Sequence, residues 1–281
     1  MIERFFTART DARGLAFARI FVGAGALLRA PVSYHLFDNV LRPGVLQARA
    51  YEWLPAVSRD WMGGYILLWA AAAFSFMVGY RTRLSGGLLC ALIAYHLAAD
   101  QNFFASHIFF LLHVVLLLTI GNSGAVLSVD WFRRGRPPGE VLAWPVHLLK
   151  LQVSIIYFFA AVLKLNPGFL SGDRLRDALK VAETSSGMDW VWWLSAATIA
   201  LEFYLSFALW SRRLRPTAIL MGVGFHAAIP LSMGLYGGLI VFSTTIVGTY
   251  WAYLSAEEID WLHDRLEAVA GRPIPRVLRP G

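Results

Sequence analysis

Long apolar stretches, separated by short polar clusters, make up most of the chain. A stretch of roughly 17 to 25 apolar residues is long enough to cross the hydrocarbon core of a bilayer as a helix. The pattern therefore predicts an all-α integral membrane protein, a polytopic bundle of about eight transmembrane helices. The predicted spans are 14–34, 62–80, 84–100, 103–121, 145–165, 190–211, 215–233 and 236–254.

The pattern changes after the last predicted span. Residues 257–270 combine charged and apolar positions at helical spacing, which is typical of an amphipathic helix. We predict one transmembrane domain over 1–254, followed by a short cytoplasmic amphipathic helix and tail over 255–281. The first apolar run lacks a clear small-residue cleavage pattern and is predicted to be a retained helix.

Composition agrees with a membrane protein and narrows its partners. Hydrophobic residues are 57% of the chain and charged residues 15%, against roughly 25% charged in soluble domains. The net charge of +7 comes from clusters between the apolar runs rather than from a basic stripe, so no nucleic-acid partner is expected. The single cysteine, Cys90, excludes an intramolecular disulfide.

Arginines in the loops predict the orientation. If the N-terminus is cytoplasmic, most loop arginines fall on the cytoplasmic side, as the positive-inside rule requires. We therefore expect a multi-pass protein of the cell inner (plasma) membrane with both termini cytoplasmic. The lipid bilayer is its first predicted partner.

Ionisable and polar side chains inside the predicted spans are the candidates for function, because each is costly in lipid unless it has a partner, a cavity or a route to the surface. Arg19 and Arg29 are predicted to reach toward opposite surfaces. His96 and His113 are expected to pack or to support other groups. The full set is Arg19, Arg29, His96, Asp100, His107, His113, Lys150, Lys164, Glu202 and His226.

Lys164 is the most informative of these residues. It lies just before the Asn166-Pro167-Gly168 helix breaker, about 27 Å along its helix and near the outer rim. A lysine there either extends to the membrane surface or acts as a reagent. Burial beside other cations would favour its neutral form, which is a general base.

Two histidines at comparable depth favour the second interpretation. His107 and His226 are predicted near the outer rim and near mid-membrane, so with Lys164 they can share one outward-opening pocket. Taken singly, each histidine is more often a packing residue paired with a carbonyl. Glu202 either balances one of these cations or stays protonated.

Several other kinds of site are disfavoured by spacing. The seven histidines include no His-Glu-x-x-His pattern, and there is no paired-cysteine pattern, so no metal site is predicted. A phosphate-binding glycine loop and a Gly-x-Ser-x-Gly nucleophile elbow are likewise missing from the sequence.

Seven segments, in order along nearly the whole chain, carry a family resemblance. They are TDARGLAFARIFVGAGALL (10–28), DWM (60–62), GYRTRLS (79–85), DQNFFASH (100–107), SVDW (128–131), QVSIIYFFAAVLKLNPGFLSG (152–172) and FHAAIPLSMGLYG (225–237). The chain resembles the membrane domain of vitamin K-dependent gamma-carboxylase and the bacterial proteins grouped with it as the horizontally transferred transmembrane domain family.

The resemblance implies a chemistry. Lys164 corresponds to the family's base, which deprotonates reduced vitamin K or a menaquinol-like quinone. Oxygen (O2) then gives an epoxide and a strong base, which removes a proton from a glutamate that captures carbon dioxide (CO2). His107 and His226 correspond to groups that bind or polarise the quinone oxygens, and Gln152 and Tyr157 are assigned to the lining of the cofactor pocket. Glu202 is assigned to the same pocket from its position within its predicted span.

Two departures from the family pattern keep a second function open. Carboxylases carry SWNNH where this chain has Phe103-Phe104-Ala105-Ser106-His107. The chain resembles a short bacterial type without the large extracytoplasmic region that grips a protein substrate, so a partner would present any peptide or protein substrate. A non-enzymatic membrane partner for peptide maturation or export is the alternative, while a transporter is disfavoured because inverted halves with paired broken helices are not seen.

Overall fold

A computed structural model describes residues 2–49, 51–56, 58–135, 139–180, 190–234 and 236–271. Most of these residues are helical, which confirms the predicted fold class. The helices are α1 (Ile2–Thr7), α2 (Arg13–Val40), α3 (Arg59–Val78), α4 (Thr82–Ala99), α5 (Ser106–Ile120), α6 (Val129–Arg133), α7 (Ala143–Lys164), α8 (Pro167–Leu170), α9 (Asp173–Leu179), α10 (Trp190–Ala208), α11 (Arg215–Met233), α12 (Gly237–Thr249) and α13 (Ala256–Ala270). Short 3-10 turns occupy Gln101–Phe103 and Tyr250–Tyr253.

Six helices of the described residues are long and apolar enough to cross a membrane: α2, α3, α4, α7, α10 and α11. A seventh span is possible if Gly237–Tyr253 and Ala256–Ala270, which meet at a bend of 111°, form one broken span. Helix α5 is apolar but shorter. The chain is thus a polytopic helical membrane protein, whereas the count of eight spans is not confirmed.

Two short strands are present that the sequence does not predict. Strand β1 (Arg9–Asp11) pairs antiparallel with β2 (Glu140–Leu142), with Thr10 opposite Val141. The pair ties the segment before α2 to the segment before α7. Three-residue strands are too short for the alternating pattern on which a sequence-based prediction rests.

The described residues fall into two compact units. The first comprises 1–149 and 240–281 and contains α2 to α5, with a core that includes Trp69, Phe76 and Ile93. The second comprises 150–239 and contains most of α7 together with α8 to α11. The predicted boundary between a transmembrane domain (1–254) and a tail (255–281) stays a prediction, and residues 272–281 of that tail lie outside the described residues.

Helix α2 packs most extensively against α3 in the first unit. The close approach requires Gly23, because a Cβ atom there would lie 2.7 Å from the Cα of Met77. Small residues permit such backbone contacts between membrane helices. Helix α2 also continues to Val40, six residues past its predicted end.

Arg19 and Arg29, which are predicted to reach toward opposite surfaces, are both buried within the protein and do not extend to solvent. Arg19 is fully buried and donates from Nη1 to the carbonyl of Ser123 at 2.7 Å and from Nη2 to that of Leu127 at 2.5 Å. These carbonyls belong to the loop after α5 and replace the water that a guanidinium would otherwise seek. Arg29 is also buried, and it donates from Nε to Ser33.

Candidate functional site

Lys164 and Glu202 form an ion pair in the second unit. Lys164 is the last residue of α7, and its Nζ lies 2.7 Å from Oε1 and 2.8 Å from Oε2 of Glu202, which projects from the middle of α10. The Lys164 side chain is 26% exposed and that of Glu202 is 6% exposed. The carboxylate is therefore almost closed off from solvent, while the amine keeps partial access.

The charged group next to Lys164 is an anion, not one of the cations that the sequence suggests. The sequence suggests a lysine beside other cations, but the charged group in contact with it is a carboxylate. The alternative that Glu202 balances a cation is the one that this geometry supports. Lys164 also donates more weakly to the Ala160 carbonyl, at 3.4 Å, and its ammonium lies 5.7 Å from the centre of the Phe169 ring.

A second polar pair lies in the same unit. The Tyr157 hydroxyl and His226 Nε2 are 2.7 Å apart, joining α7 to α11. Both side chains are 2% exposed. The sequence assigns each residue to the site but does not predict their pairing, because it depends on how α7 and α11 are rotated toward each other.

The two pairs share one face of α7. Tyr157 and Lys164 are seven residues apart, which is close to two helical turns and about 10 Å along the axis. Glu202 reaches this face from α10 and His226 from α11. Gln152, half-buried and earlier on α7, completes the predicted residues that lie in the second unit.

His107 lies elsewhere in the chain. It is in the first turn of α5, in the first unit, and within the described part of the chain its buried Nε2 has no hydrogen-bond partner. The prediction that it shares a pocket with Lys164 and His226 therefore stays a prediction.

One polar residue of the second unit is missed by sequence reasoning. Ser195 lies on α10 seven residues before Glu202, hence on the same helix face, and it is fully buried. Among the described residues its Oγ has no hydrogen-bond partner. A serine in an apolar helix is common and carries no sequence signal, so only burial reveals an unused hydroxyl there.

The arrangement offers proton donors and acceptors beside apolar surface. Two ionisable pairs line one helix face, and the rings of Phe158 and Phe203 meet edge to face at 5.7 Å between α7 and α10. Among the described residues, no group of three histidine, cysteine, aspartate or glutamate side chains could hold a metal ion. The arrangement is suited to binding a partly polar, largely apolar ligand and to moving a proton at Lys164.

The sequence model of a protein family described as the HTTM domain matches residues 7–247, which is most of the chain. No curated protein and no solved structure matches this chain.

Proposed function

The chain belongs to the HTTM domain family, and from this premise we propose that it is a membrane enzyme related to vitamin K-dependent gamma-carboxylase. In this proposal Lys164 is the base that deprotonates a reduced quinone for oxygen-dependent epoxidation. The observation that carries it is the bidentate contact between Lys164 and Glu202, two turns from the Tyr157–His226 pair on the same helix face.

The residues of the second unit fit a reduced quinone. Its hydroxyl groups need hydrogen-bond partners, which the phenol–imidazole pair and the amine–carboxylate pair provide. Its rings and tail need apolar surface, which Phe158 and Phe203 contribute. When bound, the reduced quinone supplies the electrons for the reduction of oxygen.

Lys164 and Glu202 act together in proton transfer. The amine must first lose a proton, and its partial exposure provides a route to water. Lys164 Nζ then accepts a hydroxyl proton, and the ammonium that forms is stabilised by a carboxylate already at 2.7 Å. A counter-charge held in position before the reaction needs little reorganisation when the charge develops.

Tyr157 and His226 are proposed to orient the ligand. Their hydrogen bond is buried, so it fixes the imidazole ring against α7 and limits the protonation states that the pair can adopt. Gln152 extends the polar lining of α7. His107 is proposed as a quinone-binding group on the family resemblance alone.

The remaining chemistry follows the family. Oxygen and carbon dioxide are the proposed co-substrates, and a glutamate of a peptide presented by a partner is the proposed site of carboxylation. The proposed location is the plasma membrane, with both termini cytoplasmic and Lys164 toward the outer leaflet.

Quinol turnover tests the proposal directly. The full chain, purified in detergent, is given vitamin K hydroquinone under air, and the epoxide is quantified by mass spectrometry. Lys164→Met is expected to lose activity by at least about 100-fold, the usual lower range for removal of a general base. Lys164→Arg is expected to be equally poor, because arginine does not release its proton.

Lys150 supplies the matched control. It lies on the same helix, and its ammonium is 6.0 Å from the ring of Trp210, outside the proposed proton-transfer pair. Lys150→Met is expected to keep wild-type turnover. Undiminished epoxide formation by folded Lys164→Met would overturn the base role.

A second candidate function is a non-enzymatic membrane partner for peptide maturation or export. The same ion pair favours this second function, because a lysine and a glutamate that neutralise each other need have no role beyond joining α7 to α10. This function predicts that purified protein binds a small peptide while neither retaining nor oxidising a quinone. Mass spectrometry of copurifying quinones and peptides separates the two candidates.

A further inference from the structure

A buried basic cluster in the first unit is not used by the proposed proton transfer. Arg29 of α2 is 3% exposed and His96 of α4 is fully buried. His107, at the start of α5, lies within electrostatic range of both. Three helices thus bring one guanidinium and two imidazoles together inside the apolar part of the protein.

Three ring nitrogens of this cluster lack hydrogen-bond partners among the described residues. Among the described residues, neither ring nitrogen of His96 makes a hydrogen bond. The buried Nε2 of His107 makes none either. Arg29 donates from Nε to Ser33 at 3.1 Å, but within the same residues its terminal nitrogens have no bonding partner and no carboxylate lies within ion-pair distance. Buried polar groups are normally hydrogen-bonded, so a set of adjacent exceptions requires an explanation.

The neighbouring polar groups are already engaged elsewhere. The Tyr65 hydroxyl donates to the Leu92 carbonyl at 2.8 Å, and the Trp69 indole donates to the Ala26 carbonyl at 2.8 Å. Oδ1 of Asp100 accepts from both the backbone and the side-chain nitrogen of Asn102, each at 2.8 Å, and among the described residues no bond joins Asp100 to the cluster. Among the described residues, none of these bonds goes to a ring nitrogen of His96 or His107 or to a terminal nitrogen of Arg29.

Aromatic rings enclose His96. Phe37, Trp69 and Phe103 surround it at centroid distances of 5.1, 5.7 and 5.4 Å. All three rings are themselves almost fully buried. An enclosure of this kind excludes water and strengthens any charge interaction within it.

We propose that Arg29 and His96, flanked by His107, form a binding site for a small carboxylate-type oxyanion. The guanidinium supplies the positive charge and a planar pair of donors, and each imidazole supplies one N–H group. The anion accepts from the terminal nitrogens of Arg29 and from the ring nitrogens of His96 and His107, for which no partner is shown among the described residues. Nothing in this site depends on Lys164.

The chemistry of the cluster selects the class of ligand. A guanidinium matches the two oxygens of a carboxylate in a flat, two-pronged contact. One permanent positive charge balances a monoanion, and close-packed aromatic walls favour a small one. Two sources have this chemistry: dissolved bicarbonate, and the carboxylate side chain of a peptide.

The site would extend the proposed function if both hold. Each source corresponds to one reactant of a carboxylation. Bicarbonate is the hydrated form of carbon dioxide, and the peptide carboxylate belongs to the glutamate that accepts it.

Anion binding to the purified full chain tests the proposal without a quinone. At constant ionic strength and pH 8, chloride is replaced by 13C-acetate, a mimic of the side chain, or by 13C-bicarbonate, and the unfolding midpoint and the 13C line width are measured. Because a ligand that binds the native state raises its stability, acetate or bicarbonate is expected to raise the midpoint above that in chloride. A response to acetate alone supports a peptide carboxylate, a response to bicarbonate alone supports the dissolved ion, and a response to both supports the shared chemistry.

Two variants carry the test. Arg29→Met is expected to weaken anion binding roughly 10- to 100-fold, the range for a charge-assisted hydrogen bond. Without added anion its unfolding midpoint is expected to be no lower than that of the wild type, because an uncompensated buried charge has been removed. His96→Phe preserves the aromatic packing and is expected to weaken binding as well.

Arg42→Met is the matched control. Arg42 is an exposed arginine that pairs with Asp38 on the surface, and its substitution is expected to leave anion binding unchanged. Equal midpoints in chloride, acetate and bicarbonate would overturn the site, and so would binding that survives both Arg29→Met and His96→Phe. Lys164→Met is expected to bind the anion normally while losing quinol turnover, so failure of either proposal is separable from failure of the other.

Discussion

Glu202 holds both of its carboxylate oxygens against the Lys164 amine, at 2.7 and 2.8 Å. The contact joins the end of α7 to the middle of α10. It therefore has two consequences. It links the stability of the second unit to Lys164, the proposed base. It also places a negative charge beside the Lys164 amine.

Breaking this pair from one side is expected to be costly. Glu202→Leu leaves the Lys164 ammonium without its counter-charge, and loss of one partner of a buried pair typically costs about 3 kcal/mol. The double variant Lys164→Met/Glu202→Leu is expected to recover most of that stability while remaining inactive with quinol. Unfolding of the four proteins in detergent, read as a double-mutant cycle, measures the coupling. A single variant as stable as the wild type would mean that the pair contributes nothing.

The hydrogen bond between Tyr157 and His226 is expected to matter for both stability and turnover. Tyr157→Phe removes the hydroxyl that bonds to a buried imidazole nitrogen, at a cost of about 1–3 kcal/mol. Quinol turnover is expected to fall as well, because the imidazole loses its orientation. The comparison is Phe159→Leu, an exposed position on the same helix, which keeps the hydrogen bond and is expected to keep wild-type turnover. Equal stability and turnover for Tyr157→Phe and the wild type would exclude the orienting role.

Local patterns allow much of the fold to be predicted. Helix α13 begins at Ala256 and ends at Ala270, close to the predicted 257–270, because its amphipathic pattern and its capping box between Ser255 and Glu258 are both local. The predicted end of α2 is six residues short. The length of an apolar run reports where lipid ends, whereas a helix continues as long as its backbone bonds are satisfied.

The site is predictable as a set of residues but not as a set of contacts. Lys164, Glu202, Tyr157 and His226 are conspicuous because polar side chains are costly in lipid. Which of them meet depends on helix rotation, which periodicity does not determine. Arg29 illustrates the same limit, because its burial follows from the packing of α2 and not from its position along the helix.

The contact between α2 and α3 predicts opposite effects for two glycines. Gly23→Ala places a Cβ atom 2.7 Å from the Met77 backbone, so the helices must separate, at a cost of about 1–3 kcal/mol. A Cβ atom added at Gly64 of α3 would meet no atom of the neighbouring described residues within 4 Å, so Gly64→Ala is expected to be neutral or to stabilise by up to about 1 kcal/mol through helix propensity. Thermal unfolding in detergent measures both. Equal effects at the two positions would contradict the close approach.

Asp130 predicts a pH-dependent contribution to stability. Its carboxylate accepts hydrogen bonds from the backbone N–H groups of Arg81 and Thr82, each at 2.9 Å, and so caps the start of α4. Burial raises the pKa of Asp130, but these bonds, the Thr82 hydroxyl and the charge of Arg134 outweigh it and lower the pKa below its ordinary value. They also hold Arg81 in a left-handed conformation, with φ 43°.

The sign of the effect follows from the lowered pKa. A group whose pKa is lower in the folded state contributes its stability above its unfolded pKa and loses it as pH falls through the folded pKa. Asp130→Asn is therefore expected to be less stable than the wild type by about 1 kcal/mol near pH 7, because the amide nitrogen cannot accept the hydrogen bonds that one carboxylate oxygen accepts. The difference is expected to close in acid, below the ordinary range for aspartate. Asp60→Asn, at an exposed position in the first turn of α3, is the matched control and is expected to follow the wild type throughout. A gap between wild type and Asp130→Asn that is constant with pH would contradict the role of the ionised carboxylate.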